Sequence, residues 1–97
     1  MVSTLFFRSK FLYPDRAIRE MVLWKLSKPT PDRPHGLKYR LYYGLADGHC
    51  LVRYDNEKGK GDHRHVGREE VPYAFKDVET LVKDFLTNIT KIRGGIK

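Results

Sequence analysis

The residues of this sequence best suited to acid–base chemistry are two histidines in the segment Asp62-His63-Arg64-His65. If this segment is extended, His63 and His65 project to one side and Arg64 to the other. Metal-free cleavage of RNA needs a base for the 2′-hydroxyl proton, an acid for the leaving oxygen and cations for the charge on phosphorus. Imidazole suits the first two roles because its unperturbed pKa is about 6.5. We therefore predict that His63 and His65 form an acid–base pair and that Arg64 and Lys60 stabilise the phosphate.

A stretch rich in glycine and lysine lies directly before the histidines and predicts a phosphate-binding loop. Gly59 and Gly61 free the backbone amides to point at one spot, with Lys58 and Lys60 beside them. Amide donors and point charges in such a loop hold a phosphate. Further candidates for binding nucleic acid are cationic residues and tyrosines that can stack on bases, namely Arg40, Tyr42, Arg53 and Tyr73.

Other interpretations of these residues stay open. A solvated surface loop has the same composition as the glycine–lysine stretch. A metal site is a second alternative, because two histidines spaced by one residue on a strand often chelate, with Asp55, Asp62 or His35 as a third ligand. Glu69 or Glu70 can supply a carboxylate base, although adjacent glutamates in a loop are usually solvated. We expect no metal and no cofactor.

The composition limits the chain to a small basic protein. It has 97 residues and a net charge of +7, which predicts one domain over 1–97 and a surface that attracts polyanions or an acidic protein. No apolar run approaches the roughly 20 residues that span a bilayer, so we expect no membrane partner. The start lacks the pattern of a secretion signal, and Cys50 is the only cysteine, which excludes an internal disulfide. A cytoplasmic location is the expectation.

The first half of the sequence predicts two hairpins. One joins residues 4–13 to 17–26 through Tyr13-Pro14-Asp15-Arg16, with its register open, although a pairing of Lys10 with Glu20 favours a bulged turn. The other joins a strand of alternating apolar residues over 37–45 to its partner through a two-residue turn at Asp47-Gly48. That turn predicts the opposed pairs Leu45–Cys50, Tyr43–Val52, Leu41–Tyr54 and Arg40–Asp55, with Tyr39, Tyr43 and Trp24 in the core.

The second half predicts a short strand and a helix. Residues 63–66 have the pattern of a last strand, and 67–72 that of a charged connection. Asp77 is placed to cap a helix whose apolar residues recur at spacings of three and four from Val78 to Ile92, before Gly94 and Gly95. The predicted fold class is α+β, an antiparallel sheet of four to five strands in a meander of hairpins, packed by one C-terminal helix.

Several segments taken in order give this sequence a family resemblance. They are Pro14-Asp15, residues 20–25, residues 39–44, residues 51–65, and Pro72-Tyr73 before the helix. In that order they resemble the TumE family, small toxins of bacterial toxin–antitoxin pairs. The resemblance extends over nearly the whole chain, and its specific part runs from Tyr54-Asp55-Asn56 to His63-Arg64-His65. Arg16 stands where the family has glycine, and residues 69–71 also depart from its pattern.

The resemblance implies an inhibitor of host growth that is neutralised by a helix-turn-helix antitoxin encoded beside it. The reaction is our own prediction from the charge and the histidine pair: a toxin acting as a metal-independent ribonuclease on RNA. Three alternatives stay open. One is a module that binds nucleic acid or the ribosome without catalysis, and another is a metal-dependent hydrolase that uses His63 and His65. The third is a structural partner protein whose basic face meets an acidic antitoxin.

Overall fold

The computed structural model describes residues 3–31, 33–56 and 61–94. They form one antiparallel sheet, whose strands follow each other in space as they do along the chain, and one C-terminal helix. The elements are β1 (Ser3–Leu12), β2 (Ile18–Leu26), β3 (Leu37–Gly44), β4 (Cys50–Asp55), β5 (His63–Val66), β6 (Glu69–Pro72) and α1 (Val78–Gly94). The predicted α+β class is confirmed, and within the described residues no helix is long and apolar enough to cross a membrane.

The sheet has six strands where the sequence predicts four to five. The sixth is β6, in the segment predicted as a charged connection. All of its residues are exposed, and it pairs with β5 at one edge of the sheet. Charged residues and proline are typical of edge strands as well as of loops, so they could not distinguish a strand from a connection here. The strand brings Glu70 opposite His65.

The first hairpin turns through three residues. Tyr13 donates its N–H to the carbonyl of Ala17 at 2.8 Å, and Arg16 has a φ of 71°. A left-handed third residue is characteristic of a turn with a bulge. Lys10 is accordingly opposite Glu20, which is the register that this charge pair favours.

The second hairpin also turns through three residues, Ala46-Asp47-Gly48, and the predicted two-residue turn is wrong. The N–H of Gly48, whose φ is 92°, donates to the carbonyl of Leu45 at 2.9 Å and closes a type I turn. Aspartate before a left-handed glycine suits either turn, so the dipeptide alone did not decide between them. As a result Cys50 is opposite Gly44 instead of Leu45. The other three predicted pairs, Tyr43–Val52, Leu41–Tyr54 and Arg40–Asp55, are confirmed.

Replacing Arg16 by glycine is expected to stabilise the protein. A side chain in the left-handed region costs energy that glycine avoids, while glycine gives the unfolded chain more freedom. The net expected gain in the free energy of unfolding is about 0.5–1 kcal/mol. Denaturant melts of Arg16→Gly and the parent protein measure it, with Arg68→Gly as a control for loss of an exposed arginine. A less stable Arg16→Gly protein would contradict the argument from backbone strain.

The helix covers one face of the sheet. Asp77 accepts a hydrogen bond from the N–H of Thr80 at 2.6 Å and caps the helix as predicted, and this bond lowers the pKa of its carboxyl. One stripe of α1, formed by Leu81, Phe85 and Ile89, is buried against the sheet. The sheet residues of this core are Met21, Leu23, Tyr39, Leu41, Tyr43, Val52 and Tyr54, which confirms that Tyr39 and Tyr43 are core residues. Ala17, next to the first turn, also belongs to the core.

The opposite face of the sheet, here called the open face, has no helix over it among the described residues. Side chains of a strand alternate between faces, so the neighbours of the core residues point this way. Trp24 is one of them, and the prediction that it lies in the core is wrong. It is half-buried, with the Lys38 Nζ atom 5.2 Å from its ring centre. The open face includes Arg8, Lys10, Glu20, Val22, Trp24, Lys38, Arg40, Tyr42, Arg53, Asp55, His63, His65 and Glu70.

Candidate acid–base site on the open face

The pairing of β4, β5 and β6 brings the predicted histidines together with charged residues of two other strands. Arg53, His65 and Glu70 lie directly opposite one another across the three strands. One step along the same face, Asp55 is opposite His63. Residues two apart on a strand share a face, so these five side chains form one cluster on the open face.

His63 is the buried member of the cluster, with only 9% of its surface exposed. Its Nδ1 lies 3.1 Å from the carbonyl oxygen of Gly61, and its Nε2 lies 2.8 Å from Asp55 Oδ1 and 3.7 Å from Glu70 Oε2. These neighbours offer acceptor oxygens only. Both ring nitrogens of His63 therefore face acceptor oxygens.

The carboxylate of Asp55 joins His63 to Arg53. Asp55 is 4% exposed, and its Oδ2 lies 3.0 Å from Arg53 Nε, while Arg53 also lies 3.8 Å from Glu70. Asp55 Oδ1 and Arg53 Nε are both buried, and their partners are these ion-pair contacts. The Asp55 carboxylate is therefore held between a histidine and an arginine.

A depression of about 310 Å³ opens beside the cluster. His63 and Glu70 line it together with Asp62, Val71 and Pro72. The ring of His63 therefore borders this depression, together with the carboxyl groups of Asp62 and Glu70. His65, which is half-buried, lies on the same face one step along β5.

Two of the predicted nucleic-acid-binding residues extend the site across the open face. Arg40 is opposite Asp55, and Tyr42 is opposite Arg53. The Arg40 guanidinium lies 6.0 Å from the centre of the Tyr42 ring. The Tyr42 hydroxyl lies over the Cα of Gly44, in the space that a larger residue would fill, and partial burial raises the pKa of this tyrosine. Glycine at position 44 thus lets the ring lie along the sheet.

Two others lie on the helix side of the sheet. Arg64 is opposite Tyr54 on β4, as the predicted alternation requires. Tyr73 donates its hydroxyl hydrogen to Asp84 of α1 at 2.6 Å, and its ring centre is 5.1 Å from that of Tyr54. Burial, and then Asp84, raise the pKa of Tyr73. The structure therefore does not bring Arg64 or Tyr73 together with His63 and His65. Lys58, Gly59 and Lys60 lie outside the described residues, and their predicted roles stay predictions.

A second polar cluster, which the sequence did not reveal, borders the site. Asp62 accepts a hydrogen bond from the Tyr39 hydroxyl at 2.7 Å and lies 3.0 Å from His35 Nε2. His35 Nδ1 accepts from the N–H of Leu37, which places the proton of the ring on Nε2, toward Asp62. Its ring also lies 4.1 Å from that of Phe75, centre to centre. This cluster fixes Asp62 at the start of β5 and so orients His63.

Two buried polar residues hold the end of β4. Asn56 is fully buried, accepts from the N–H of Tyr39 at 3.0 Å and donates to the Leu37 carbonyl at 2.8 Å. Arg33, from the proline-rich segment, donates to the Asn56 carbonyl at 2.9 Å. These bonds hold β3 and β4 together beyond Arg40–Asp55, the last pair of their ladder. No sequence signal pointed to them, since asparagine and arginine in polar segments are usually solvated.

The metal-site alternative gains no support from the geometry. Within the ranges that the structure describes, no three histidine, cysteine, aspartate or glutamate residues are arranged to hold a metal ion. His35 is bound to Asp62, away from the contact of His63 with Asp55. Of the three candidate third ligands, His35 and Asp62 thus belong to one cluster and Asp55 to another.

The cluster around Tyr39 predicts a loss of stability at high pH. Burial, followed by the hydrogen bond to Asp62, raises the pKa of Tyr39 above its usual value of 10.0. The folded protein therefore favours the neutral phenol. This contribution is complete below pH 10 and is lost as the pH rises beyond it, because the unfolded chain ionises first. The free energy of unfolding should fall between pH 10 and 11.5, and less steeply for Tyr39→Phe than for the parent. Equal slopes would contradict the assignment to Tyr39.

These features define a class: a small α+β protein with an open sheet face and a histidine–carboxylate cluster at one edge. The model of the family described as toxin TumE matches residues 3–93. The chain therefore belongs to the TumE toxin family, which confirms the resemblance found in the sequence. No curated protein and no solved structure matches it. As a member of this family it is the toxin of a toxin–antitoxin system, and an antitoxin is its partner.

Proposed function

We propose that this toxin inhibits growth as a metal-independent ribonuclease whose site is the cluster of Arg53, Asp55, His63, His65 and Glu70. The observation that carries the proposal is the position of His63. Its ring lies between the Asp55 carboxylate and the Gly61 carbonyl, with access to the depression beside β6. We assign this ring the role of proton donor to a group bound in the depression.

The proposed reaction is the attack of a ribose 2′-oxygen on the neighbouring phosphorus. His65 takes the 2′-hydroxyl proton as the bond from oxygen to phosphorus forms, and His63 gives a proton to the 5′-oxygen as its bond to phosphorus breaks. The products are a 2′,3′-cyclic phosphate and a free 5′-hydroxyl. Arg53 stabilises the extra negative charge on the phosphate oxygens, and Asp55 holds His63 in place. Because RNA is the substrate, we place this activity in the cytoplasm.

The test is incubation of the purified toxin with total RNA, with and without a chelator, followed by analysis of the fragment ends. The proposal expects fragments with 2′,3′-cyclic phosphate and 5′-hydroxyl ends, at the same rate in both samples. An oligonucleotide with 2′-deoxyribose at the cleavage position should resist, because it lacks the attacking oxygen. Cleavage that stops with chelator would support the metal-dependent hydrolase instead.

A binding module without catalysis is the second candidate, and the open face supports it. Lys38 lies over Trp24, and Arg40 lies near Tyr42, so that cations alternate with aromatic rings on one exposed surface. Such a surface can stack bases and neutralise phosphates. In that case RNA stays intact, and Tyr42→Ala weakens RNA binding more than His65→Ala does. The ribonuclease proposal instead expects His65→Ala to reduce toxicity more than Tyr42→Ala does.

We also propose that the antitoxin is a helix-turn-helix protein, as the family resemblance implies. The sequence of the gene beside that of the toxin tests this directly. A neighbouring gene whose product lacks two helices joined by a short turn would contradict it.

A further inference from the structure

Strand β1 exposes apolar side chains on both of its faces. Leu5, Phe6 and Leu12 are 54%, 57% and 64% exposed, and Phe7 and Phe11 are 42% and 44% exposed. Nine of the ten residues of β1 are exposed. In its neighbour β2, by contrast, the buried residues Met21 and Leu23 alternate with half-buried ones. Large apolar residues close together on a surface commonly mark an interaction site.

The outer edge of β1 has no pairing partner within the described residues. The strand ends the sheet, pairs with β2 on its inner side and is ten residues long. A long edge strand offers a row of unpaired N–H and carbonyl groups to another chain. Its exposed side chains on both faces are those that an added strand would contact, because the side chains of that strand also alternate between faces.

The charges on β1 select the kind of strand that can add. Arg8 and Lys10 lie between the apolar residues, and the Arg8 side chain is 66% exposed. Arg8 lies 3.9 Å from Glu20 of β2, which is also opposite Lys10, so two cations share one carboxylate. A second copy of this chain, paired antiparallel through β1, would bring these cations close to their own counterparts and add a second net charge of +7. Like charges on adjacent strands are destabilising, whereas carboxylates opposite them are favourable. The edge therefore fits an acidic partner better than a second copy.

We propose that β1 is the docking edge for the antitoxin, which adds a strand of alternating apolar and acidic residues to this side of the sheet. The antitoxin is the partner that the family provides, and the charge of the edge gives the chemistry of the segment that binds. The proposal is independent of the ribonuclease activity, since β1 and the cluster on β4, β5 and β6 lie toward opposite ends of the sheet.

Hydrogen exchange measured by mass spectrometry tests the location. The probe is the antitoxin encoded beside the toxin gene, added to the purified toxin. Peptides covering Ser3–Leu12 should lose exchange in the complex, by at least tenfold in rate at several amides. Protection confined to other elements would overturn the proposal. A free toxin that sediments as a dimer with the β1 amides already protected would show that a second copy occupies the edge, and would overturn it too.

A charge-reversal variant tests the chemistry. Arg8→Glu/Lys10→Glu should bind the antitoxin about 10–100-fold more weakly, since like charges then face each other across the interface. Arg68→Glu, on the turn between β5 and β6, is a charge reversal away from β1 with half the change in net charge, and it should bind nearly as the parent does. In cells the double variant should remain toxic when the antitoxin is co-expressed. Unchanged binding by a double variant with a normal melting temperature would overturn the proposal.

A variant that merely unfolds is distinguished by its own toxicity. The proposal expects Arg8→Glu/Lys10→Glu to stop growth when expressed alone, because the open-face cluster is intact. If the double variant loses both its toxicity and its binding to the antitoxin, the test uses a second variant, Phe6→Ser. This substitution removes apolar contact area without altering charge. Phe6→Ser should also weaken antitoxin binding by at least tenfold, and equal binding would overturn the proposal. Failure of the ribonuclease test leaves each of these outcomes unaffected.

Discussion

Replacement of His65 by alanine is expected to reduce RNA cleavage by about 100- to 10,000-fold, the range for loss of a general acid or base. His65 lies half-buried between Arg53 and Glu70 and makes none of the contacts that anchor His63, so the fold should be little affected. The rate of cleavage of a defined oligonucleotide measures the effect, and growth inhibition by the expressed variant should fall with it.

The matched control is His49→Ala, which removes an exposed imidazole from the loop between β3 and β4. It should cleave RNA and inhibit growth as the parent does. His63→Ala should lose cleavage to a similar extent as His65→Ala but should also melt earlier, because the buried Asp55 carboxylate loses its 2.8 Å contact with His63 and keeps only that with Arg53. Full toxicity of the double His63→Ala/His65→Ala variant would contradict the acid–base assignment.

Replacement of Phe85 by alanine is expected to lower the free energy of unfolding by about 3–5 kcal/mol. Phe85 is fully buried, and its ring centre lies 5.8 Å from that of Tyr54 in an edge-on arrangement. The substitution removes the buried apolar surface of the Phe85 ring. It also leaves a cavity, whose walls lose their contacts with the ring. Thermal melts should show a decrease of more than about 12 °C, since 1 kcal/mol shifts the melting temperature of a domain this small by about 4–8 °C.

Thr87→Ala, two residues further along the same helix, is the control for the change in helix composition. Thr87 is exposed and bonds its hydroxyl to the Lys83 carbonyl within the helix. Its replacement should change stability by much less than that of Phe85. A Phe85→Ala protein that melts with the parent would mean that α1 contributes little to the core.

The sequence predicted the elements whose apolar pattern is strong. Period-two alternation identified β3, and three of its four predicted pairs with β4 are present. The three-and-four spacing identified α1 together with its cap at Asp77. Prediction from the sequence failed at Asp47-Gly48, because this dipeptide suits two different turns. It also failed at β6, because an exposed edge strand needs no apolar pattern.

The candidate site was predictable only in part. Alternation along one strand placed His63 and His65 on a common side, and the register of the second hairpin paired Arg40 with Asp55. The contact of Asp55 with His63 depends on the pairing of β4 with β5, whose register no turn signal defines. The position of Glu70 depends in turn on β6 being a strand. Contacts of this kind come from tertiary structure, which local patterns do not encode.

The order of the strands has a consequence during synthesis. Each strand pairs with the next along the chain, so β1 and β2 can form their hairpin while later elements are still being made, and local pairings of this kind form quickly. The histidine cluster needs β4, β5 and β6, and the core is closed by α1, which comes last. Strand β1, the proposed antitoxin edge, therefore emerges from the ribosome before the proposed catalytic cluster on β4, β5 and β6. An antitoxin that engages the nascent chain at β1 would neutralise the toxin before it had ever been active.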